Sequence, residues 1–266
     1  MTKSDDEIIA LNRAAWDASA KYHREAARFQ VLLDGFARGD YSCLDPIETA
    51  IFQSLGVAGK DVAQLCCNNG RELLSVKNMG AARCVGFDQS ARFLDQAHEL
   101  AVAAGGIEVE FVETDANKIG AEFDASFDLV YVTIGVLAWM PDLNRFISVA
   151  ARLLRPGGAF SIYEQHPIMG MFEPWSKPDP FKPVDSYFRK EPFIEVGPII
   201  YDGARGQEGT ESYCYIQKLS DVFTACLDQG LRIEHFREYP HNIRDIYDNQ
   251  PAQLPQSYTL IARKPG

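Results

Sequence analysis

At 266 residues with 46% hydrophobic side chains, the chain has the length of one α/β domain and enough apolar content for a substantial core. Its 37 acidic against 26 basic residues give a formal net charge of −11, which disfavours a phosphate backbone as partner, and no stretch of about 18 apolar residues offers a membrane span. The first residues, Met1 to Glu7, lack a basic leader with an apolar signal core, and the six cysteines contain no C-x-x-C pair; a cytoplasmic protein with reduced, mostly buried thiols and no metal site is expected.

Taken in order, Ser4 and Glu7 form a capping box that opens a predicted helix over 4–30, with Ile8, Leu11, Ala15, Trp16, Tyr22 and Phe29 on one side. A connector rich in Gly and Asp runs from Asp34 to Asp45, and a helical pattern from Pro46 to Leu55 ends before Gly56 and Gly59. Val62 to Cys67 reads as a strand covered on both faces; Asn68, Asn69 and Gly70 turn the chain, and a helix starts near Arg71. Asn tolerates positive φ better than other non-glycine residues, so Asn68 can keep the turn tight. A second strand, Ala82 to Phe87, ends at Asp88, within the roughly 20-residue reach at which such a unit sets a carboxylate on a ribose. That geometry suits a nucleoside, but Cys66 and Asn68 replace glycines of the dinucleotide fingerprint G-x-G-x-x-G.

Ser90 caps a helix carrying Phe93, Leu94, Ala97, Leu100 and Ala101 on one face, and Gly105-Gly106 stops it. Ile107 to Val112 is a third strand, followed by Asp115. Phe127 to Thr133 is a fourth. Ligands of open α/β sheets sit beyond the carboxyl ends of strands, so Thr133, Ile134, Val136 and Trp139 are placed to line a pocket, with a core position for Trp139 the other reading. Pro141 begins a helix that Arg155-Pro156-Gly157-Gly158 ends, and Ala159 to Glu164 is the fifth strand. The stretch from Gln165 to about Glu211 holds half of the chain's 14 prolines with many aromatic residues, Trp175 and Tyr187 among them. This composition predicts either an ordered cap over a site or a purely structural insertion. A strand at Tyr213 to Gln217, a helix at Ser220 to Gln229 and strands at Leu231 to Arg237 and Ser257 to Ala262 complete the alternation.

Gln64-Leu65-Cys66-Cys67-Asn68-Asn69-Gly70 resembles the first motif of the class I S-adenosylmethionine-dependent methyltransferases, an acidic residue, an apolar residue and Gly-x-Gly-x-Gly, with Gln64, Cys66 and Asn68 as departures. Phe87-Asp88-Gln89-Ser90 is similar to that family's ribose-binding strand end. Leu153-Leu-Arg-Pro-Gly-Gly with the strand after it is another family feature, structural rather than catalytic. The resemblance extends over the whole chain order. It implies an α/β fold with a Rossmann-like, doubly wound seven-stranded sheet whose last strand is antiparallel, an N-terminal helix, and a cap inserted after the fifth strand. It divides a single domain into a helical lid (1–56), a cofactor-binding core (57–165), the cap (166–212) and a C-terminal part of the sheet (213–266). The implied cofactor is S-adenosylmethionine, held by Gln64, Cys66, Asn68, Gly70, Asp88, Gln89, Asp115, Ala116, Thr133, Ile134 and Val136, with Tyr22 of the closing helix touching the ligand or merely packing. Asp115-Ala116 matches the position that meets the adenine amino group, against the alternative of a solvated loop acid.

Methyl transfer from a sulfonium is an in-line displacement with a neutral leaving group, so alignment in a closed site, worth roughly 7 to 11 kcal/mol, is the protein's main task. The acceptor is expected to be a small molecule methylated at oxygen or nitrogen, with Trp16, Trp139, Glu164, Trp175 and Tyr187 around it. A base is needed only for an acceptor that cannot lose its proton unaided. Glu164, Gln165 and His166 leave the fifth strand where the pocket opens; His166 is a candidate base, or a histidine that only hydrogen-bonds the cap's backbone. Two other classes stay open, an NAD(P)-dependent reductase and a non-catalytic nucleoside-binding module. The missing glycines and the lack of a Tyr followed four residues later by Lys speak against the reductase. No Asn/Asp-Pro-Pro-Tyr motif points to nucleic acid, and nothing in the sequence speaks to oligomeric state.

Overall fold

The capping box at Ser4 closes with Glu7 N–H donating to Ser4 Oγ (3.3 Å) and Ser4 N–H donating to Glu7 Oε2 (2.7 Å), and it opens α1 (Asp5–Glu25). The structure, a computed structural model, describes residues 3–172, 179, 181–201, 203–241 and 253–266. The single helix expected over 4–30 is two: Ala26 is extended (φ −68°, ψ 143°), and α2 (Ala27–Phe36) follows it. The cause is tertiary. α2 buries Phe29, Leu32 and Phe36 against Leu100, Ala101 and Ala104, whereas α1 buries Ala15 and Ser19 and holds a strand from the other half of the chain through Asn12. α3 (Pro46–Leu55) starts with Asp45 as cap and Pro46 in the first turn, and ends at Gly56 (φ 62°).

The alternating pattern then builds β1 (Asp61–Leu65), α4 (Arg71–Asn78), β2 (Arg83–Asp88), α5 (Ala91–Ala103), β3 (Glu110–Glu113), β4 (Phe127–Val132), α6 (Leu143–Leu153) and β5 (Leu154–Gln165). Past the insertion come β6 (Phe193–Gly197), β7 (Thr210–Cys214), α7 (Leu219–Asp228), β8 (Arg232–Tyr239) and β9 (Ser257–Arg263). The main sheet has seven strands in the order β3-β2-β1-β4-β5-β9-β8. The first five are mutually parallel, and β9 runs antiparallel to both neighbours. This is the doubly wound, Rossmann-like sheet with an antiparallel last strand that the sequence order implies.

Several boundaries move. β1 stops at Leu65, because Cys66 already has φ 54° and leaves the sheet. β3 begins three residues late, where Glu110 first reaches register with Val85. α6 is capped by Asp142, whose Oδ1 accepts from Arg145 N–H (2.9 Å), so Pro141 precedes the helix instead of opening it. The strand expected at 213–217 lies outside the main sheet: β7 pairs antiparallel with β6 in a separate two-stranded sheet. Asn12 on α1 fixes it there, donating to Tyr213 O (2.9 Å) and accepting from Tyr213 N–H (2.8 Å).

Arg155 of the Arg-Pro-Gly-Gly turn explains why that phrase is structural. Its guanidinium pairs with Asp61 (2.6 Å) at the start of β1 and with Asp128 (2.9 Å) on β4, at the amino ends of the strands. The opposite edge is left for ligands. All six cysteines are unpaired, with Cys67, Cys84 and Cys226 buried, and no described helix is long and apolar enough to cross a membrane.

Candidate active site

Between β1 and β4 the chain winds to opposite faces of the sheet, which opens a crevice beyond the carboxyl ends of the strands. A cavity of about 360 Å³ occupies it. Cys66, Cys67 and Asn68 after β1, Asp88 and Gln89 at the end of β2, and Thr133 to Val136 after β4 form its floor and sides. Trp16 of α1, Phe93 of α5, Trp139 and the segment Ile199 to Tyr201 close over it. Asp45, Glu48, Arg71 and Glu72 contribute a charged flank from α3 and α4.

The turn after β1 alternates through the left-handed region, with Cys66 at φ 54°, Asn68 at φ 53° and Gly70 at φ 68°. Two of these positions carry a β-carbon. Asn68 secures the turn by accepting from Asn69 N–H (2.8 Å) and Tyr201 O–H (3.1 Å) on its Oδ1, while its own N–H donates to Asp88 Oδ2 (2.7 Å). Gly70 is required for another reason: a β-carbon there would lie 2.6 Å from Phe111 Cε1. Asp88 also accepts from Ser90 N–H (2.9 Å) on Oδ1, which fixes the carboxylate in the mouth of the cavity. Burial pushes its pKa up to about 6, opposed by the backbone donors Ser90 and Asn68. Burial likewise drives the thiols of Cys66 and Cys67 well above their ordinary range, so neither is a thiolate nucleophile.

The roof is aromatic. Trp16 meets Trp139, Phe93 and Tyr201 edge-on, at centroid distances of 5.2, 5.8 and 6.2 Å. Ser19 Oγ accepts from Ile199 N–H (2.9 Å) and His23 Nε2 lies 2.9 Å from Ile199 O, so α1 and the Ile199 to Tyr201 segment form one cover.

Of the residues singled out from sequence, Trp16, Cys66, Asn68, Asp88, Gln89, Thr133, Ile134, Val136 and Trp139 line this cavity. The others among the described residues stand outside its lining. Gln64 is buried within the sheet, donating to Thr133 Oγ1 (3.4 Å) and accepting from Tyr131 O–H (3.0 Å). Ala116 belongs to the core cluster with Phe87 and Val136. Asp115 is no solvated loop acid: its Oδ1 accepts from Asn117 N–H (2.9 Å), and its buried Oδ2 has no hydrogen-bond partner and pairs with Lys118 Nζ at 3.6 Å. Glu164 is buried and accepts from Gly135 N–H (2.5 Å), Leu137 N–H (2.9 Å) and Gln165 N–H (2.7 Å), so it shapes the segment after β4 from behind. Tyr22 donates to Glu208 O (3.1 Å), and Tyr187 Oη accepts from Leu219 N–H (3.1 Å). His166 is buried away from the lining with both ring nitrogens engaged, Nδ1 accepting from Ile168 N–H (3.2 Å) and Nε2 bonded to Glu238 (3.0 Å). Desolvation lowers its pKa against the pull of Glu238. Trp175 lies outside the described residues.

Sequence reasoning missed the α3 and α4 acids and the Ile199 to Tyr201 strap. Asp45 and Glu48 form a capping box, Glu48 N–H donating to Asp45 Oδ1 (2.8 Å), and that local role hides their second neighbourhood. Tyr201 carried a signal, as an aromatic in the proline-rich stretch, but nothing local ties it to Asn68.

Residues 62–158 match the family model described as "Methyltransferase domain". The chain is 35% identical over 108 residues to methyltransferase phqN of Penicillium fellutanum, a match covering 40% of this chain and 32% of that protein. It is 27% identical over 143 residues to a ubiquinone biosynthesis O-methyltransferase of Klebsiella pneumoniae, covering 51% and 58% respectively. The chain therefore spans less than two thirds of either relative. Its fold matches that of the 1,6-didemethyltoxoflavin-N1-methyltransferase of Burkholderia thailandensis, solved with 1,6-didemethyltoxoflavin and S-adenosylhomocysteine, at a TM-score of 0.59 and 16% identity over 100% of this chain and 92% of that one.

Proposed function

We propose, from the match of residues 62–158 to a methyltransferase domain and from the fold shared with an S-adenosylhomocysteine-bound methyltransferase, that the protein transfers a methyl group from S-adenosylmethionine to a small-molecule acceptor, at oxygen or nitrogen. The observation that carries this reading is the placement of Asp88. Its carboxylate is fixed by two backbone N–H groups at the end of β2, on the lip of the cavity at the switch point of the sheet.

The residues fit the cofactor. Asp88 is the acceptor for ribose hydroxyls, and Asp115, two residues past β3, has a buried Oδ2 with no hydrogen-bond partner and Lys118 Nζ at 3.6 Å, an acceptor that would suit an adenine amino group. Thr133, Ile134 and Val136 give the apolar side. The bound cofactor supplies a sulfonium methyl whose leaving group departs neutral. The chain's part is then to orient and to exclude water: Trp16, Trp139, Phe93 and Tyr201 cover the cavity, and Glu164 sets the backbone of Gly135 and Leu137 beneath them. In this reading α1 is a lid and the segment to Tyr201 part of a cap, with the acceptor against the two tryptophans. The relatives named for ubiquinone biosynthesis and for 1,6-didemethyltoxoflavin support a small-molecule acceptor, as does a net charge of −11 that disfavours nucleic acid.

Calorimetric titration with S-adenosylhomocysteine and with NAD tests the reading. Binding of the first and not the second is expected, and Asp88→Ala should weaken it about 10- to 100-fold, the loss of charge-assisted bonds worth roughly 1.5 to 3 kcal/mol. Binding of NAD alone, or an Asp88→Ala variant as tight as the parent, would overturn it.

A further inference from the structure

Gln64 stands where the motif that this turn resembles ordinarily carries an acid. Gln64 cannot make this good, because its amide is committed to Thr133 and Tyr131 inside the sheet. The α3 and α4 flank of the cavity has the reverse condition, an excess of carboxyl groups. Asp45, Glu48 and Glu72 line it with Arg71. Arg71 Nε donates to Glu72 Oε1 (2.7 Å), and Asp45 Oδ2 accepts from Tyr163 O–H (3.0 Å). Glu48 is only 6% exposed. Its Oε2 accepts from Asp45 N–H (3.3 Å), while its Oε1 is buried with no hydrogen-bond partner at all. A buried, unpartnered carboxyl oxygen on the wall of a cavity is a costly arrangement that an arriving donor relieves.

We infer that Glu48, with Glu72 near it, binds the ammonium group of an α-amino acid, the tail of the cofactor named above, and so replaces from α3 the acid absent at Gln64. Arg71 in the same flank makes the set suited to a zwitterion, with positive charge for the tail's carboxylate, and not to a simple amine. The inference rests on the cofactor reading.

Protons provide a signature. Glu48 is faced by Asp45 on its own turn, by Cys43 ahead of α3, by Glu72 and Arg71 of α4, and by Tyr131 of β4 and Tyr163 of β5. Burial, then Glu72 and Asp45, push its carboxyl up to about 8, with Arg71 opposing. At pH 7 it therefore holds a proton, and an ammonium beside it favours the ionised form, so binding expels that proton.

The experiment is calorimetry at pH 7 in two buffers of different ionisation enthalpy, titrating S-adenosylhomocysteine and 5′-methylthioadenosine, which lacks the amino-acid tail. The parent protein should release more protons than Glu48→Gln on binding S-adenosylhomocysteine, and no more than the variant on binding 5′-methylthioadenosine. Glu48→Gln should weaken S-adenosylhomocysteine about 10- to 100-fold and 5′-methylthioadenosine less than about twofold. Glu72→Gln, which leaves the capping box intact, should show the same preference to a smaller degree. Equal weakening of both ligands, or of neither, overturns the assignment, as does proton release unchanged in Glu48→Gln. A parent protein that binds neither ligand overturns the cofactor reading itself, and this inference with it.

Discussion

Asn68 shows how far one residue can be read. Its type alone announces tolerance of positive φ, and the structure places it at φ 53°. Ordinary side chains pay about 1–2 kcal/mol in that region, which Asn offsets through Oδ1, bonded to Asn69 N–H and Tyr201 O–H. Asn68→Ala keeps the β-carbon and loses both bonds, so it should destabilise the protein by about 1–3 kcal/mol. Asn68→Gly loses the bonds but relaxes the backbone, and should cost less. Denaturant unfolding of the two variants side by side checks the order; a glycine variant no more stable than the alanine one would show that the turn is unstrained. The bond to Tyr201 crosses 133 residues of chain and was invisible to any local reading.

At the scale of elements, caps and short periodic runs were legible, and contacts that bend or reroute an element were not. Ser4 and Ser90 each cap the helix that their position announces, since a cap is settled within three residues. The break of the first helix at Ala26 and the departure of β7 from the main sheet both follow from partners far along the chain, Leu100 and Ala104 in one case and Asn12 in the other. The segment after β4 is a further instance. Its lining residues were foreseen, but its shape comes from Glu164, which accepts from Gly135 and Leu137 N–H. Glu164→Gln puts an amide donor where one of those N–H groups needs an acceptor, a mismatch of roughly 1–3 kcal/mol. Faster amide hydrogen exchange at Gly135 and Leu137 and weaker binding of S-adenosylhomocysteine are expected. Unchanged exchange at both amides would remove Glu164 from this role.

For the whole molecule, the cavity leaves a mark on stability against pH. Asp88 and Glu48 have their carboxyls raised in the folded state, from 3.8 to about 6 and from 4.5 to about 8. Each therefore binds its proton more tightly folded than unfolded, and the stability so gained is complete below the unfolded values and lost as pH rises through the folded ones. The ligand-free protein should melt at progressively lower temperature between about pH 4 and 8, and Glu48→Gln should flatten the upper part of that slope. Thermal melts across this range check it, and parallel slopes for parent and variant would discount Glu48.

By itself the sequence determined the alternation of strands and helices from 61 to 165, the turn at 66 to 70 and the position of Asp88. Each of these depends on side-chain periodicity or on the span of one strand-turn-helix-strand unit, and both are short-range properties. Only the tertiary structure decided that Gln64 and His166 turn inward to partners, that Tyr201 closes over Asn68, and that Asp45, Glu48 and Glu72 come together beside Arg71 on one wall. Those facts depend on which surfaces α1, α3 and the insertion bury when they pack. Burial is a property of the assembled chain, and it leaves one oxygen of the capping-box carboxyl Glu48 without a partner.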